Sequence, residues 1–121
     1  LLMLASYHGH LDAVRVLLAQ GADPRLANDN GQLPVAGAAF KGNLAMVRLL
    51  VESGCEADAV GADGRTALMM AAMFNRLDIL DYLLEQGADA SRRDVRGADA
   101  LASARAMGAS DTAARLQALA G

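Results

Sequence analysis

Apolar residues recur along the chain in a helical pattern that occurs three times. Within each copy they occupy positions i, i+3, i+6 and i+7, which places them on one face of an α-helix. The three sets are Leu11, Val14, Leu17 and Leu18; Leu44, Val47, Leu50 and Val51; and Leu77, Leu80, Leu83 and Leu84. The pattern therefore predicts three amphipathic helices, each with one face in a shared core.

The copies are 33 residues apart, and three series of positions suited to a left-handed backbone keep the same interval. One of these series contains an asparagine, which after glycine best tolerates that conformation. The series are Gly21, Gly54 and Gly87; Gly31, Gly64 and Gly97; and Gly9, Gly42, Asn75 and Gly108. Three such positions in each period predict three chain reversals, which fits two helices and a turn.

Short segments rich in alanine lie at 2–8, 34–41, 67–74 and 100–107, and they predict a first helix in each period. Polar stretches with glycine at 28–33, 61–66 and 94–99 predict turns between helix pairs. Hydrophobic residues make up 54% of the chain but aromatic residues only 3%. Such a composition favours a core of closely fitted alanine and leucine side chains, so the predicted fold class is all-α.

One period resembles a known family closely. Residues 63–72 read DGRTALMMAA, and residues 77–89 read LDILDYLLEQGAD. Together they resemble the ankyrin repeat, whose pattern is D-G-x-T-P-L-H-x-A-A followed by G-H-L-E-V-V-K-L-L-L-x-x-G-A-D. The resemblance implies an ankyrin-repeat solenoid of stacked antiparallel helix pairs joined by β-turn or hairpin loops, with about 3.7 repeats in 121 residues.

The period divides the chain into a single domain, 1–121, with repeats at 1–27, 28–60, 61–93 and 94–121. Leu1 stands where the family has its proline, so we expect the first repeat to be incomplete and preceded by further sequence. The last repeat is expected to be a cap with a polar outer surface. Its polar replacements are Ser110, Thr112, Arg115 and Gln117, while Ala113, Leu116 and Leu119 are expected to face inward.

Two departures from the family pattern affect local stability. The turn threonine is retained only as Thr66, and because Leu33 and Asp99 replace it elsewhere, we expect those turns to be less firmly tied. Asn75 occupies a glycine place. We expect Asn75→Gly to be neutral or to stabilise by up to about 1 kcal/mol, because glycine adopts a left-handed backbone without strain at Cβ.

The sequence contains no complete catalytic or metal-binding set. His8 and His10 flank a turn without a third ligand nearby, and the resemblance implies a histidine at the place of His10. Cys55 replaces the small alanine of the Gly-Ala-Asp phrase, so we expect a buried thiol instead of a nucleophile. We therefore expect no enzyme activity, no cofactor and no metal.

The bulkiest side chains cluster where the family pattern fixes no residue, at the ends of the first helices. Both phenylalanines and one of the two tyrosines lie there. These side chains either fill the joints between repeats or form an interface, and we favour the interface because aromatic residues and methionine are enriched at interface centres. Turn tips that change from acidic or neutral to basic would supply a rim. The candidate partner-binding residues are Tyr7, His8, Asp29, Asn30, Gln32, Phe40, Lys41, Asp63, Arg65, Met73, Phe74, Arg93, Arg96 and Met107.

The net charge of −3 and the absence of a basic run argue against a nucleic-acid partner, and no apolar stretch has the length of a membrane span. We expect a monomeric, cytoplasmic module that binds another protein through its concave groove. The alternative is a regulatory or targeting ankyrin domain of a larger enzyme or channel, whose activity lies outside this chain. An enzyme in its own right would depend on Cys55 and the two histidines.

Overall fold

The computed structural model describes residues 2–25, 33–61 and 64–120. Within these residues, eight α-helices form four successive pairs, and Val60 and Thr66 form an isolated antiparallel bridge in the loop between two pairs. The helices are α1 (Leu2–Tyr7), α2 (Leu11–Ala19), α3 (Pro34–Lys41), α4 (Leu44–Glu52), α5 (Ala67–Met73), α6 (Leu77–Glu85), α7 (Ala100–Ala106) and α8 (Ser110–Ala120). This order confirms the predicted all-α fold of repeated helix pairs.

The two helices of each pair are joined by a tight reversal. In the third pair this reversal is at Asn75, whose φ of 59° confirms the predicted left-handed backbone. Gly42 makes the same reversal in the second pair, and here a Cβ atom would also displace a neighbouring side chain. A Cβ atom at Gly42 would lie 2.9 Å from the guanidinium of Arg76, which crosses from the next pair.

The core lies between the two rows of helices. Alanines such as Ala38 and Ala71 let the first helices of adjacent pairs pack closely, whereas the second helices of adjacent pairs make much less contact. An array in which one row is packed more closely than the other curves toward the closer row. The first helices and their loops therefore form the concave side, and the second helices fill the core with side chains such as Leu50, Leu80 and Leu83.

Side chains at two of the predicted turns tie the chain to the helix that follows. Thr66 is buried, and its hydroxyl oxygen accepts the backbone N–H of Met69 at 3.2 Å. Asp99 replaces this threonine before α7 and accepts the backbone N–H of Ala102 at 2.9 Å. The expectation of a loosely tied turn is therefore wrong at Asp99, because a carboxylate caps a helix as well as a hydroxyl does. At Leu33, α3 begins without a side-chain hydrogen bond.

In the last helix, two side chains differ in burial from what the sequence predicted. Thr112 is fully buried instead of facing outward, and its hydroxyl donates to the Ala72 carbonyl at 2.7 Å. Leu119 is 58% exposed instead of facing inward, because its place in α8 corresponds to that of the exposed Gln86, which directly follows α6. Leu116 is buried as predicted. None of the helices in the described segments is long and apolar enough to cross a membrane.

Candidate functional site

Three aromatic rings from consecutive helix pairs form a continuous row at the ends of the first helices. The rings of Tyr7 and Phe40 are nearly parallel, at 9°, with centroids 6.3 Å apart. Phe74 meets Phe40 edge-on, at 86°, with centroids 4.7 Å apart. All three side chains are half-buried, so each ring packs on its neighbour and keeps part of its surface in water. We call Tyr7, Phe40 and Phe74 the aromatic row.

The helical repeat explains the geometry of the aromatic row. Tyr7 and Phe40 are 33 residues apart and occupy the same place in their pairs, which accounts for their parallel rings. Met73 holds that place in the third pair, and Phe74 follows it directly as the C-cap residue of α5. Because successive helical residues point about 100° apart, Phe74 approaches Phe40 from another direction and meets it edge-on.

Polar and cationic groups surround the aromatic row. The Lys41 ammonium lies 4.8 Å from the centroid of the Tyr7 ring, within the range of a cation–π contact. The exposed His8 ring lies edge-on to Tyr7, with centroids 5.4 Å apart. Arg76, which the sequence did not single out, donates from Nη2 to the Phe40 carbonyl at 3.3 Å. This contact fixes the backbone that carries the central ring.

The remaining candidates are two methionines, three arginines and four residues outside the described segments. Met73 is half-buried beside the row, and Met107 at the end of α7 is 52% exposed. Arg65 is half-buried, with Nε 3.8 Å from a carboxylate oxygen of Asp94. Arg93 and Arg96 are exposed. The other four candidates lie outside the described residues: Asp29, Asn30, Gln32 and Asp63.

In the loop before α7, backbone N–H groups hold the Asp94 carboxylate in place, and Arg93 and Arg96 are exposed to solvent. The Asp94 carboxylate accepts the backbone N–H groups of Ala98 at 3.0 Å and Arg96 at 2.9 Å. These bonds, together with the nearby Arg65 and Arg96 guanidinium groups, hold the pKa of Asp94 below its ordinary value. Within the described segments, the guanidinium groups of Arg93 and Arg96 form no salt bridge.

An inter-repeat ion pair that the sequence analysis missed lies beside this loop. Arg92 Nε donates to Asp58 Oδ2 at 2.5 Å, which raises the pKa of Arg92, and Asp58 also accepts the backbone N–H of Asp89 at 3.2 Å. Asp81 and Arg115 form a similar pair between α6 and α8. In each pair the two residues are 34 positions apart, close to one period. This spacing of opposite charges is the sequence signal that could have predicted both pairs.

Residues 2–94 match the family model for ankyrin repeats, in three copies. The chain belongs to the ankyrin-repeat family. This match confirms the resemblance seen in the sequence, and α7 and α8 continue the ankyrin arrangement beyond the matched residues. Ankyrin repeats are generally protein–protein interaction modules and are typically not catalytic. No curated protein matches the chain in sequence.

The candidate nucleophile of this ankyrin array, Cys55, is a buried thiol. Cys55 is 2% exposed, which confirms the predicted buried thiol. Burial above all, with smaller contributions from Glu56 and Asp23, raises the pKa of the Cys55 thiol to about 11. At neutral pH the group is therefore a protonated thiol and not a thiolate nucleophile. Within the described residues, no group of three or more histidine, cysteine or acidic side chains could hold a metal ion.

Proposed function

We propose that this ankyrin array binds a partner protein through its concave surface, formed by the first helices and the turn tips, and that it has no catalytic chemistry of its own. The aromatic row is the observation that carries the proposal. Its rings run across three consecutive helix pairs and remain partly exposed, and Met107 adds an exposed apolar side chain at the end of the fourth first helix.

Packing between the rings does not account for the surface that the aromatic row and Met107 leave exposed. Aromatic side chains and methionine are enriched at interface centres, and a few such anchors carry most of the binding energy. A row that continues from one pair to the next offers anchor points at regular intervals along a bound segment. The concave surface is therefore suited to an extended or helical segment with several apolar side chains.

The charges around the concave surface favour a partner segment that is also acidic. Lys41 and His8 lie at the Tyr7 end of the aromatic row, and Arg93 and Arg96 are exposed in the loop before α7. Asp94, in the same loop, is already engaged by backbone N–H groups. The concave side thus presents Lys41, Arg93 and Arg96 as cations that form no salt bridge within the described residues, on a chain whose net charge is −3. Complementary charge would speed association with an acidic segment.

Met107→Asp gives the cleanest test, because the side chain is more than half exposed and its replacement should leave the fold intact. Partners are captured with the wild-type chain, purified, and titrated against both forms. We expect Met107→Asp to weaken binding tenfold or more, the scale of an interface anchor. Leu119→Asp is the matched control, because Leu119 is equally exposed but lies on the last second helix. Equal binding by the two variants would exclude the concave surface.

A further inference from the structure

One side chain of the third helix pair crosses the joint to the second pair. Arg76 directly precedes α6, and its Nη2 donates to the carbonyl of Phe40, the second-last residue of α3, at 3.3 Å. The last carbonyl groups of a helix have no donor within that helix, and a cation near them also interacts favourably with the helix dipole. Arg76 therefore completes the end of α3 from outside its own pair.

The reversal that carries Arg76 holds Phe40 at two points. Phe74, two residues before Arg76, packs its ring edge-on against the Phe40 ring with centroids 4.7 Å apart. The Arg76 guanidinium binds the Phe40 backbone. Because one short reversal makes both contacts, the position of the Phe40 backbone and the angle between the two rings are coupled.

Gly42 leaves room for this crossing. A Cβ atom at Gly42 would lie 2.9 Å from both Cζ and Nε of Arg76, so a side chain there would push the guanidinium away from Phe40. Gly108 has nearly the same φ, 70° against 76°, and nothing lies within 4 Å of a Cβ atom there. The two glycines therefore share a backbone requirement, and Gly42 has the added requirement of space for Arg76.

Stability alone does not explain an arginine at this place. Asn43 holds the equivalent place 33 residues earlier, and its side-chain oxygen caps α4 by accepting the backbone N–H of Met46 at 3.1 Å. Arg76 provides no such cap to α6, and its Nε is buried without a hydrogen-bond partner in the described part of the chain. A buried donor without a partner costs stability. The arginine thus gives up a cap and gains a contact with Phe40.

We propose that Arg76 is the positioning residue of the aromatic row. By holding the Phe40 backbone against the reversal that carries Phe74, it sets the orientation in which the central ring meets its neighbours and presents its remaining surface. Preorganised groups bind more tightly because less freedom is lost on binding. Release of Phe40 would therefore weaken an interface without removing any of its side chains. This consequence for a partner rests on the proposed function, whereas the orientation of the ring does not.

Arg76→Asn separates positioning from stability. The variant copies Asn43, so its side chain should accept the Ile79 N–H while the bond to Phe40 is lost. We expect the thermal midpoint to stay within about 3 °C of the wild type, because the cap gained and the hydrogen bond lost are of similar strength.

The ring orientation is measured by NMR without any partner. The chain contains two phenylalanines, so a sample labelled at phenylalanine shows the Phe40 and Phe74 rings alone. We expect Arg76→Asn to weaken the cross-peaks between the two rings about twofold or more, because Phe40 is no longer held in one orientation. Unchanged cross-peaks in the folded variant would overturn the proposal.

Gly42→Ala and Gly108→Ala perturb the same contact with Arg76 itself left in place. Both substitutions carry the cost of a positive φ, and at these two glycines Gly42→Ala alone displaces the guanidinium. We expect Gly42→Ala to weaken the ring cross-peaks as Arg76→Asn does, and Gly108→Ala to leave them unchanged. Equal effects of the two alanine variants would also overturn the proposal.

The consequence for binding is measured with the purified partner whose affinity Met107→Asp lowers. We expect Arg76→Asn to weaken this binding about fivefold or more, because the central ring is no longer preorganised. Full affinity with weakened ring cross-peaks would show that the orientation of Phe40 does not matter to the partner, and would overturn the role in binding. If Met107→Asp has no effect, the proposed function fails, while the ring spectra still decide whether Arg76 positions Phe40.

Discussion

Asn75 caps the helix that contains Thr112: its side-chain oxygen accepts the backbone N–H of Thr112 at 3.1 Å, across 37 residues of sequence. The same oxygen accepts the backbone N–H of Asp111 at 2.9 Å, and the Asn75 amide donates to the Asp111 carboxylate at 3.2 Å. The first turn of α8 thus receives its hydrogen-bond acceptor from the preceding helix pair. Such acceptors stabilise a helix because its first N–H groups have no partner within it.

This cap reverses the effect expected for Asn75→Gly from the sequence. Glycine would relieve the strained backbone, a gain of up to about 1 kcal/mol. It would also remove the cap and leave Asp111 and Thr112 without their acceptor, a loss of about 2 kcal/mol. We therefore expect a net destabilisation of about 1 kcal/mol in urea unfolding. Asn75→Ala should lose more, because it keeps the strain. A glycine variant about 1 kcal/mol more stable than the wild type would show that the cap contributes nothing.

The aromatic row should contribute unequally to stability. Phe40 contacts a ring on each side, whereas Phe74 contacts one ring of the row, and each aromatic pair contributes about 0.5–1.5 kcal/mol beyond the area it buries. We expect Phe40→Ala to cost about 2 kcal/mol and Phe74→Ala about 1 kcal/mol. Leu80→Ala, in the core, should cost about 3 kcal/mol. Chemical denaturation of the three variants gives the order, and a Phe74→Ala loss as large as that of Leu80→Ala would place this ring in the core.

Gly64 and Gly97 allow the cost of a positive φ to be distinguished from the cost of a steric clash with neighbouring backbone. Both have positive φ, 76° and 83°. A Cβ atom at Gly64 would lie 3.0 Å from the backbone nitrogen of Val95 and 3.1 Å from Asp94 Cα, whereas nothing lies within 4 Å of one at Gly97. We expect Gly97→Ala to cost about 1 kcal/mol from conformation alone. Gly64→Ala should cost at least about 1 kcal/mol more, from overpacking against backbone. Equal thermal midpoints for the two variants would contradict this steric contact.

Cys55 should make stability fall at high pH. The thiol pKa is about 11 in the folded chain, while the unfolded chain loses the proton near the ordinary cysteine pKa of 9.0. Below the unfolded value the thiol is neutral in both states, so its contribution is constant. Between these values deprotonation favours the unfolded chain, so stability declines as pH rises. Unfolding free energies of the wild type and Cys55→Ala, measured from pH 8 to pH 11, should converge or cross, and parallel curves would contradict the shift.

Cys55 also allows a direct chemical measurement at neutral pH. Because the folded thiol is buried and protonated, iodoacetamide should modify it far more slowly than it modifies the urea-unfolded chain. Equal rates in the two states would show that the thiol is accessible in the folded array.

Periodicity was sufficient to predict the helices, because every pair must bury the same face. Leu80 and Leu83 are buried for the reason that placed them on one stripe, and the backbone of Asn75 follows from its place among glycines. The role of its side chain did not follow, because a cap on another pair depends on how the pairs stack. Thr112 was misjudged for the same reason: its polarity indicated a surface position, whereas Ala72 supplies a buried acceptor.

Part of the candidate site could be predicted from the sequence. The spacing of Tyr7 and Phe40 was enough to align them, and the structure brings their rings together. Arg76 was missed because only the stacked pairs show that it reaches Phe40. The opposite charges at Asp58 and Arg92, close to one period apart, could have predicted their ion pair from the sequence. Whether a partner covers the aromatic row depends on a second molecule, which periodicity does not describe.

The bond from Asn75 to α8 also limits how the array can be rearranged. Duplicating or exchanging one repeat is neutral only when each repeat is self-contained, and here the third and fourth pairs share a cap. An insertion between them would separate α8 from Asn75, whereas an insertion before the third pair would leave the two together. Any repeat placed directly before α8 must therefore carry an asparagine at the place of Asn75 if the first turn of α8 is to keep its acceptor.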